Sequence, residues 1–213
     1  VDNRKQFQWT VFRGLELSLI TLLPVAVGLL LVGEAAISFV YERGYFTHVD
    51  TQNTYMALVM YVPLIVTQGL QFIISKSMYA QGRTAIVLKI SSTTILLNII
   101  LNYLLVGPFG YPGLAISASI VSVYYLGVTS YFVLREFDKK EKWLVGTLVL
   151  RVVPATVLMA TAVMLVQNFT RISELYSLLQ LAILVPIGAL LYVGGTYVFY
   201  RDGFHRVVRL ARR

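Results

Sequence analysis

Cysteine is absent from the 213-residue chain, which excludes disulfides, thiolate metal sites and cysteine nucleophiles. Histidine occurs only twice, at His48 and His205, too sparsely for a histidine metal cage, so no metal site is expected. Charge is scarce as well. Charged residues make up 13% of the chain and hydrophobic ones 57%, with a mean hydropathy of +0.73. Soluble domains average roughly 25% charged and 45–50% apolar residues. The deficit excludes an ordinary soluble domain, because too little polar surface exists to face water, and it excludes disorder, which needs the opposite composition. Enzymatic signatures are missing too. No G-x-S-x-G, H-E-x-x-H or Walker pattern occurs, and no close acidic pair near a membrane surface could hold Mg²⁺. The chain is expected not to be an enzyme and to need no cofactor.

What is abundant is long apolar runs. A bilayer core of about 30 Å needs about 20 apolar residues as helix, and a lipid-exposed backbone must satisfy its own hydrogen bonds. Six runs qualify: Leu15–Tyr41, Tyr55–Met78, Ala85–Val106, Gly113–Leu134, Thr147–Gln167 and Ser177–Phe199. The expected fold class is all-α, a polytopic membrane protein with six transmembrane helices. Val1–Arg13 is polar and the first run too long for a signal core, so no cleavable signal peptide is expected. The missing initiator Met points to a fragment.

The net charge of +8 would suggest nucleic acid in a soluble protein. Here the basic residues sit between the apolar runs and report topology instead, so no nucleic-acid partner is expected. Of the 18 Lys and Arg, only Arg43 and Arg171 fall on one side of the six spans. The other side holds the rest, and that bias places both termini in the cytoplasm. Gly107–Pro112 (GPFGYP) reads as a tight outside turn. Arg135–Lys142 (REFDKKEK) is the one dense charge cluster. It divides the chain into a four-helix part (1–134), a cytoplasmic charged linker (135–146), and a final helix pair with a basic tail (147–213).

Polar groups inside spans usually face protein or water. Ser91, Thr94, Asn98 and Asn102 recur at helical spacing within about a 60° stripe, and Gln68, Gln71, Ser75 and Tyr79 repeat the pattern one span earlier. Two readings stay open: interhelical hydrogen bonding, or the wall of a polar cavity lined by Gln68, Gln71, Ser75, Ser91, Thr94, Asn98 and Asn102, with Glu34 as a cavity-facing or interfacial carboxylate. Glu16 snorkels or pairs with Arg13, and Pro24 kinks the first span. Ala115, Ala118, Ser119 and Ser122 form a small-residue stripe suited to close helix packing. The last two spans are apolar almost all round. Gly188, Gly194 and Gly195 remove bulk from the final one, leaving room for an acyl chain or serving ordinary packing.

Several strings carry a family resemblance. Tyr41–Thr47 with Asp50-Thr51 (YERGYFT…DT) closely resembles the E-R-G-x-F…D-T loop of the MurJ/MviN lipid II flippases, within the MOP exporter superfamily. Met78–Ile90 (MYAQGRTAIVLKI) is similar to their F-Y-A-x-G-D-T-x-T-P-V-K-I segment. Leu97–Leu105 and Gly107–Ser119 resemble their L-N-x-x-L-N-L and G-x-x-G-L-A-L-A-T-S patterns, and Leu23–Gly28 (LPVAVG) resembles L-P-A-A-V-G. The matches are collinear over about Val1–Leu134.

The resemblance implies the ninth to fourteenth spans of a fourteen-helix flippase. Its C-terminal half would move a polyprenyl-linked peptidoglycan precursor, lipid II, across the bacterial inner membrane by alternating access. Implied partners are that precursor, membrane lipids and the missing N-terminal half, where most pyrophosphate-gripping arginines would lie. The final helix pair would form a groove for the lipid tail, with Gly188, Gly194 and Gly195 along it. A coupling monovalent cation is implied at the positions of Asn98, Asn102 and Ala118, where an amide replaces the family's carboxylate and Ala replaces its hydroxyl. Arg83 stands in place of the family's Asp, and Val87 in place of its Pro. Rival readings are a polysaccharide or O-antigen repeat-unit exporter of the same superfamily, and a non-transporting six-span scaffold subunit.

Overall fold

The computed structural model describes residues 2–137, 139–170 and 176–201. Arg171 and the tail residues Arg206, Arg209, Arg212 and Arg213, which enter the topology argument, lie outside the described residues. Among the described residues there are six helices: α1 (Asp2–Tyr41), α2 (His48–Ala80), α3 (Thr84–Phe109), α4 (Tyr111–Leu134), α5 (Lys139–Phe169) and α6 (Ser177–Phe199). All six are long and apolar enough to cross a membrane. Each predicted span falls inside one helix.

The helix ends follow from local chemistry. Asp50 Oδ2 accepts from the Thr47 amide at 2.8 Å and from its hydroxyl at 2.7 Å, a capping-box arrangement that starts α2 seven residues before the predicted span. Gly82 ends α2 in a left-handed turn at φ +70°. There the Arg83 amide bonds Met78 O at 3.0 Å and the Gly82 amide bonds Tyr79 O at 2.9 Å, the paired bonds of a Schellman motif. The predicted turn at 107–112 is narrower than expected. Pro108 and Phe109 still belong to α3, and Gly110, at φ +63°, carries the reversal.

The predicted linker is also reassigned. α5 opens at Lys139, so the Lys/Glu run starts the helix instead of separating it, as the helix propensity of Lys and Glu favours. The chain packs as two compact units that do not follow the division at 135–146. One comprises Val1–Leu22 with Met60–Leu148, the other Leu23–Val59 with Val149–Arg213. The reason is that α1, α2 and α5 each contribute one portion to each unit.

The first unit has a core of Val11, Phe12, Leu15, Leu19, Ile20, Ile74, Met78, Val87 and Val133. Close approach at its α3–α4 seam depends on Gly113, where a Cβ would meet Leu105 O at 2.3 Å. The small-residue stripe of α4 is buried at Ala115, Ser119 and Ser122, the last two against α2. Glu16 is buried instead of snorkelling, while Arg13 lies over the Trp9 ring, 4.7 Å from its centroid. The second unit buries Ala26, Ile37, Val152, Ala155, Met159, Val163, Leu184 and Tyr192.

Candidate functional sites

The two polar stripes meet α4 rather than each other. From α2, Thr67 Oγ1 lies 2.5 Å from Ser122 Oγ. The Gln71 amide donates to Ser122 O at 2.8 Å and to its Oγ at 2.7 Å. Ser75 Oγ lies 3.1 Å from the Tyr125 hydroxyl, and Ser119 donates to Met60 O at 2.5 Å. From α3, Asn102 donates to Asn98 Oδ1 at 3.0 Å, and the Ser117 hydroxyl of α4 donates to Asn102 Oδ1. Thr94 is buried and donates to Ser91 O in its own helix at 2.7 Å. Of the residues predicted to line a cavity, Gln71, Ser75 and Asn102 are therefore engaged in interhelical bonds. Asn98 accepts from Asn102, Ser91 is half-buried, Gln68 is exposed, and Glu34 is exposed on α1 in the other unit.

Each interhelical bond of this kind contributes about 0.6 kcal/mol, up to ~1.7, and what they share is register along α4. Both Asn98 Oδ1 and Asn102 Oδ1 already accept a hydrogen bond, and neither α3 nor α4 contains a carboxylate. Among the described residues no group of three or more His, Asp or Glu could hold a metal.

The second site is hydrocarbon. Within the second unit, α1, α5 and α6 line an open-sided cavity of about 380 Å³. Pro24, Gly28 and Val32 of α1, Met159 and Val163 of α5, and Leu184, Gly188 and Tyr192 of α6 are among its lining residues. Ligand pockets run from about 300 to 1,000 Å³, so it has the size of one. Polar side-chain bonds flank it in sequence. Tyr55 donates to Leu30 O at 2.5 Å, Gln167 to Leu31 O at 3.0 Å, and Ser38 meets Ser177 at 2.9 Å.

The predicted groove glycines separate here. Gly188 lines the cavity. Gly195 is buried against α5, where its Cβ would meet Ala155 Cβ at 3.2 Å, so it serves helix contact. Gly194 is exposed and its Cβ would meet nothing within 4 Å. On a helix, adjacent residues point about 100° apart, so 194 and 195 cannot share one wall. Sequence reasoning missed Gly28 and Pro24 as wall residues. An apolar run gives no sign of which side its glycine turns to.

The fold and these sites define a multi-pass α-helical membrane protein with a hydroxyl- and amide-laced helical unit and a hydrocarbon-lined cavity. The family model described as lipid II flippase MurJ matches residues 1–185, and the chain belongs to that family. The match runs through α5 into α6, beyond the motifs that end near Leu134. A lipid II flippase of Thermosipho africanus is 28% identical over 209 residues, covering 96% of this chain and 40% of the relative. A probable lipid II flippase of Rickettsia prowazekii is 25% identical over 191 residues, covering 87% of this chain and 38% of the relative. Among solved structures, a lipid II flippase MurJ in an inward closed conformation superposes with a TM-score of 0.78 at 28% identity, covering 94% of this chain and 41% of that one. The chain thus spans about 40% of the length of the relatives it matches. Neither the polysaccharide exporter nor the six-span scaffold is favoured by these relatives.

Proposed function

We propose that the chain forms the C-terminal part of a MurJ-type flippase, which moves a polyprenyl-linked cell-wall precursor across the bacterial inner membrane by alternating access, together with the N-terminal half. Both termini face the cytoplasm, in keeping with the distribution of Lys and Arg. The observation that carries the reading is the cavity of about 380 Å³ with near-continuous hydrocarbon walls, in a chain of this family. A polyprenyl tail gains about 0.8 kcal/mol per CH₂ on leaving water but nothing on passing from bilayer to an equally apolar wall. The cavity therefore guides the tail during headgroup passage and does not hold it tightly. No bond is made or broken in this role.

The test fills the cavity from a position with room. A Cβ at Gly28 meets nothing within 4 Å, so Gly28→Trp adds bulk without a backbone clash. In the complete transporter it should slow precursor translocation by about tenfold or more, a barrier change of ~1.4 kcal/mol, with headgroup binding retained. Gly194→Trp, outside the cavity, should leave the rate unchanged. Equal rates for Gly28→Trp and wild type would remove the guiding role.

A further inference from the structure

One residue between α4 and α5 gathers more polar contacts than any element boundary requires. The main-chain oxygen of Glu136 accepts from Arg4 Nη2 at 2.5 Å and from Gln8 Nε2 at 3.0 Å, both on the first turns of α1. Its carboxylate accepts from Gln81 Nε2 at 2.8 Å and from Arg83 Nη2, both on the α2–α3 turn. Arg83 Nη1 also donates to Phe132 O at 3.2 Å on α4. Gln8 is 3% exposed, and Phe137 beside Glu136 is 4% exposed. All these residues belong to the first unit.

We infer that Glu136 is a clasp that makes the start of α1, the α2–α3 turn and the approach to α5 move as one body. Main-chain and side-chain oxygens of a single residue are used toward two different segments, so displacing this residue breaks contacts to both. The Arg83 interaction joins opposite charges at half-buried positions, where a charge-assisted bond is stronger than a neutral one. A displacement imposed on the start of α5 would be passed to α1 and to the Gly82 turn. The inference stands on these contacts and does not depend on what the protein transports.

The geometry also offers its own rescue. Gln81 Oε1 is buried and has no hydrogen-bond partner. A guanidinium brought in at position 136 can donate to that oxygen and to a carboxylate at position 83, so a charge swap should rebuild the clasp.

Amide hydrogen exchange on the complete transporter in detergent micelles tests this. Glu136→Ala should speed exchange about tenfold at the amides of Glu136 and Phe137, and also at those of Gly82 and Arg83, more than fifty residues away. The Thr51 amide, bonded to Thr47 O in the other unit, should not change. Arg83→Glu alone should act like Glu136→Ala, and Arg83→Glu with Glu136→Arg should restore most of the protection. Unchanged exchange at Gly82 and Arg83, an equal rise at Thr51, or no recovery in the double variant would each overturn the clasp.

Discussion

In the unit containing α3 and α4, polar side-chain bonds run through the middle of the helices. Thr67 and Gln71 meet Ser122, and Ser75 meets Tyr125. In the unit containing α6, among the described residues, the polar contacts between helices sit toward the helix ends. Tyr55, Gln167 and Ser177 bond α1 near one end, and Arg151 lies over the Tyr200 ring near the other, at 5.5 Å. Between those ends the walls are hydrocarbon, and there the cavity lies. Hydrogen bonds across a membrane interior fix register because breaking one leaves a polar group without water. A seam without them can part and reclose at little cost. One unit thus carries hydrogen bonds between helices along its length, and the other carries a hydrocarbon wall between its polar ends.

The sharpest test of the rigid side is steric. Gly113→Val would force a Cβ against Leu105 O, backbone that cannot give way. A loss of about 3 kcal/mol or more is expected from overpacking, read as a lower unfolding midpoint in mild detergent. A stable Gly113→Val protein would show that the α3–α4 seam yields.

The contrast itself is measured by two hydroxyl deletions. Ser122→Val removes the interhelical partner of Thr67, whose hydroxyl keeps Pro63 O at 2.9 Å, and one of the two acceptors of Gln71, and should cost about 1–3 kcal/mol. Thr156, buried in the second unit, bonds back to Val152 O of its own helix, at 3.1 Å. Thr156→Val should therefore stay within about 0.5 kcal/mol. Equal costs would erase the distinction between the units.

The smallest effect concerns the α1–α2 loop. Ser38 and then Thr51 hydrogen-bond the Glu42 carboxylate and hold its pKa below the ordinary 4.5, with the Thr51 hydroxyl at 3.0 Å. A group depressed in the folded state contributes fully above its ordinary value, and its contribution is lost as pH falls through the lower folded value. Amide exchange at Thr51 should accelerate slightly as pH drops below 4.5, beyond the intrinsic trend. Glu42→Gln should weaken that extra pH dependence and leave the part set by Asp50, whose carboxyl the Thr47 amide and hydroxyl hold below its ordinary value.

The helices were legible in the sequence because six apolar runs leave no other choice. The helix ends were less so, since Thr47–Asp50 and the Lys139 start depend on capping and propensity at positions flanked by polar residues. The spacing of Gln71, Ser75, Asn98 and Asn102 puts each set on one helix face, but periodicity cannot say which neighbour that face meets. The shared partner, α4, was hidden because Ser122 read as a small packing residue and Ser117 lay outside the stripe. The cavity was half legible. The low polarity of α5 and α6 pointed to it, whereas the α1 contribution at Gly28 carries no sequence signal, and Gly194 and Gly195 point different ways.

Helix length has a further consequence for the surrounding lipid. At 1.5 Å per residue, α1 with its 40 residues reaches about 60 Å, while α6 with 23 reaches about 35 Å. A hydrocarbon layer near 30 Å leaves α6 almost no slack. A thicker bilayer can be met by α1 through tilt, but α6 must stretch its flanking residues or thin the membrane beside it. Membrane thickness should therefore be sensed at the helix whose Gly188 forms part of the cavity wall, so that lipid chain length becomes a variable acting directly on that wall.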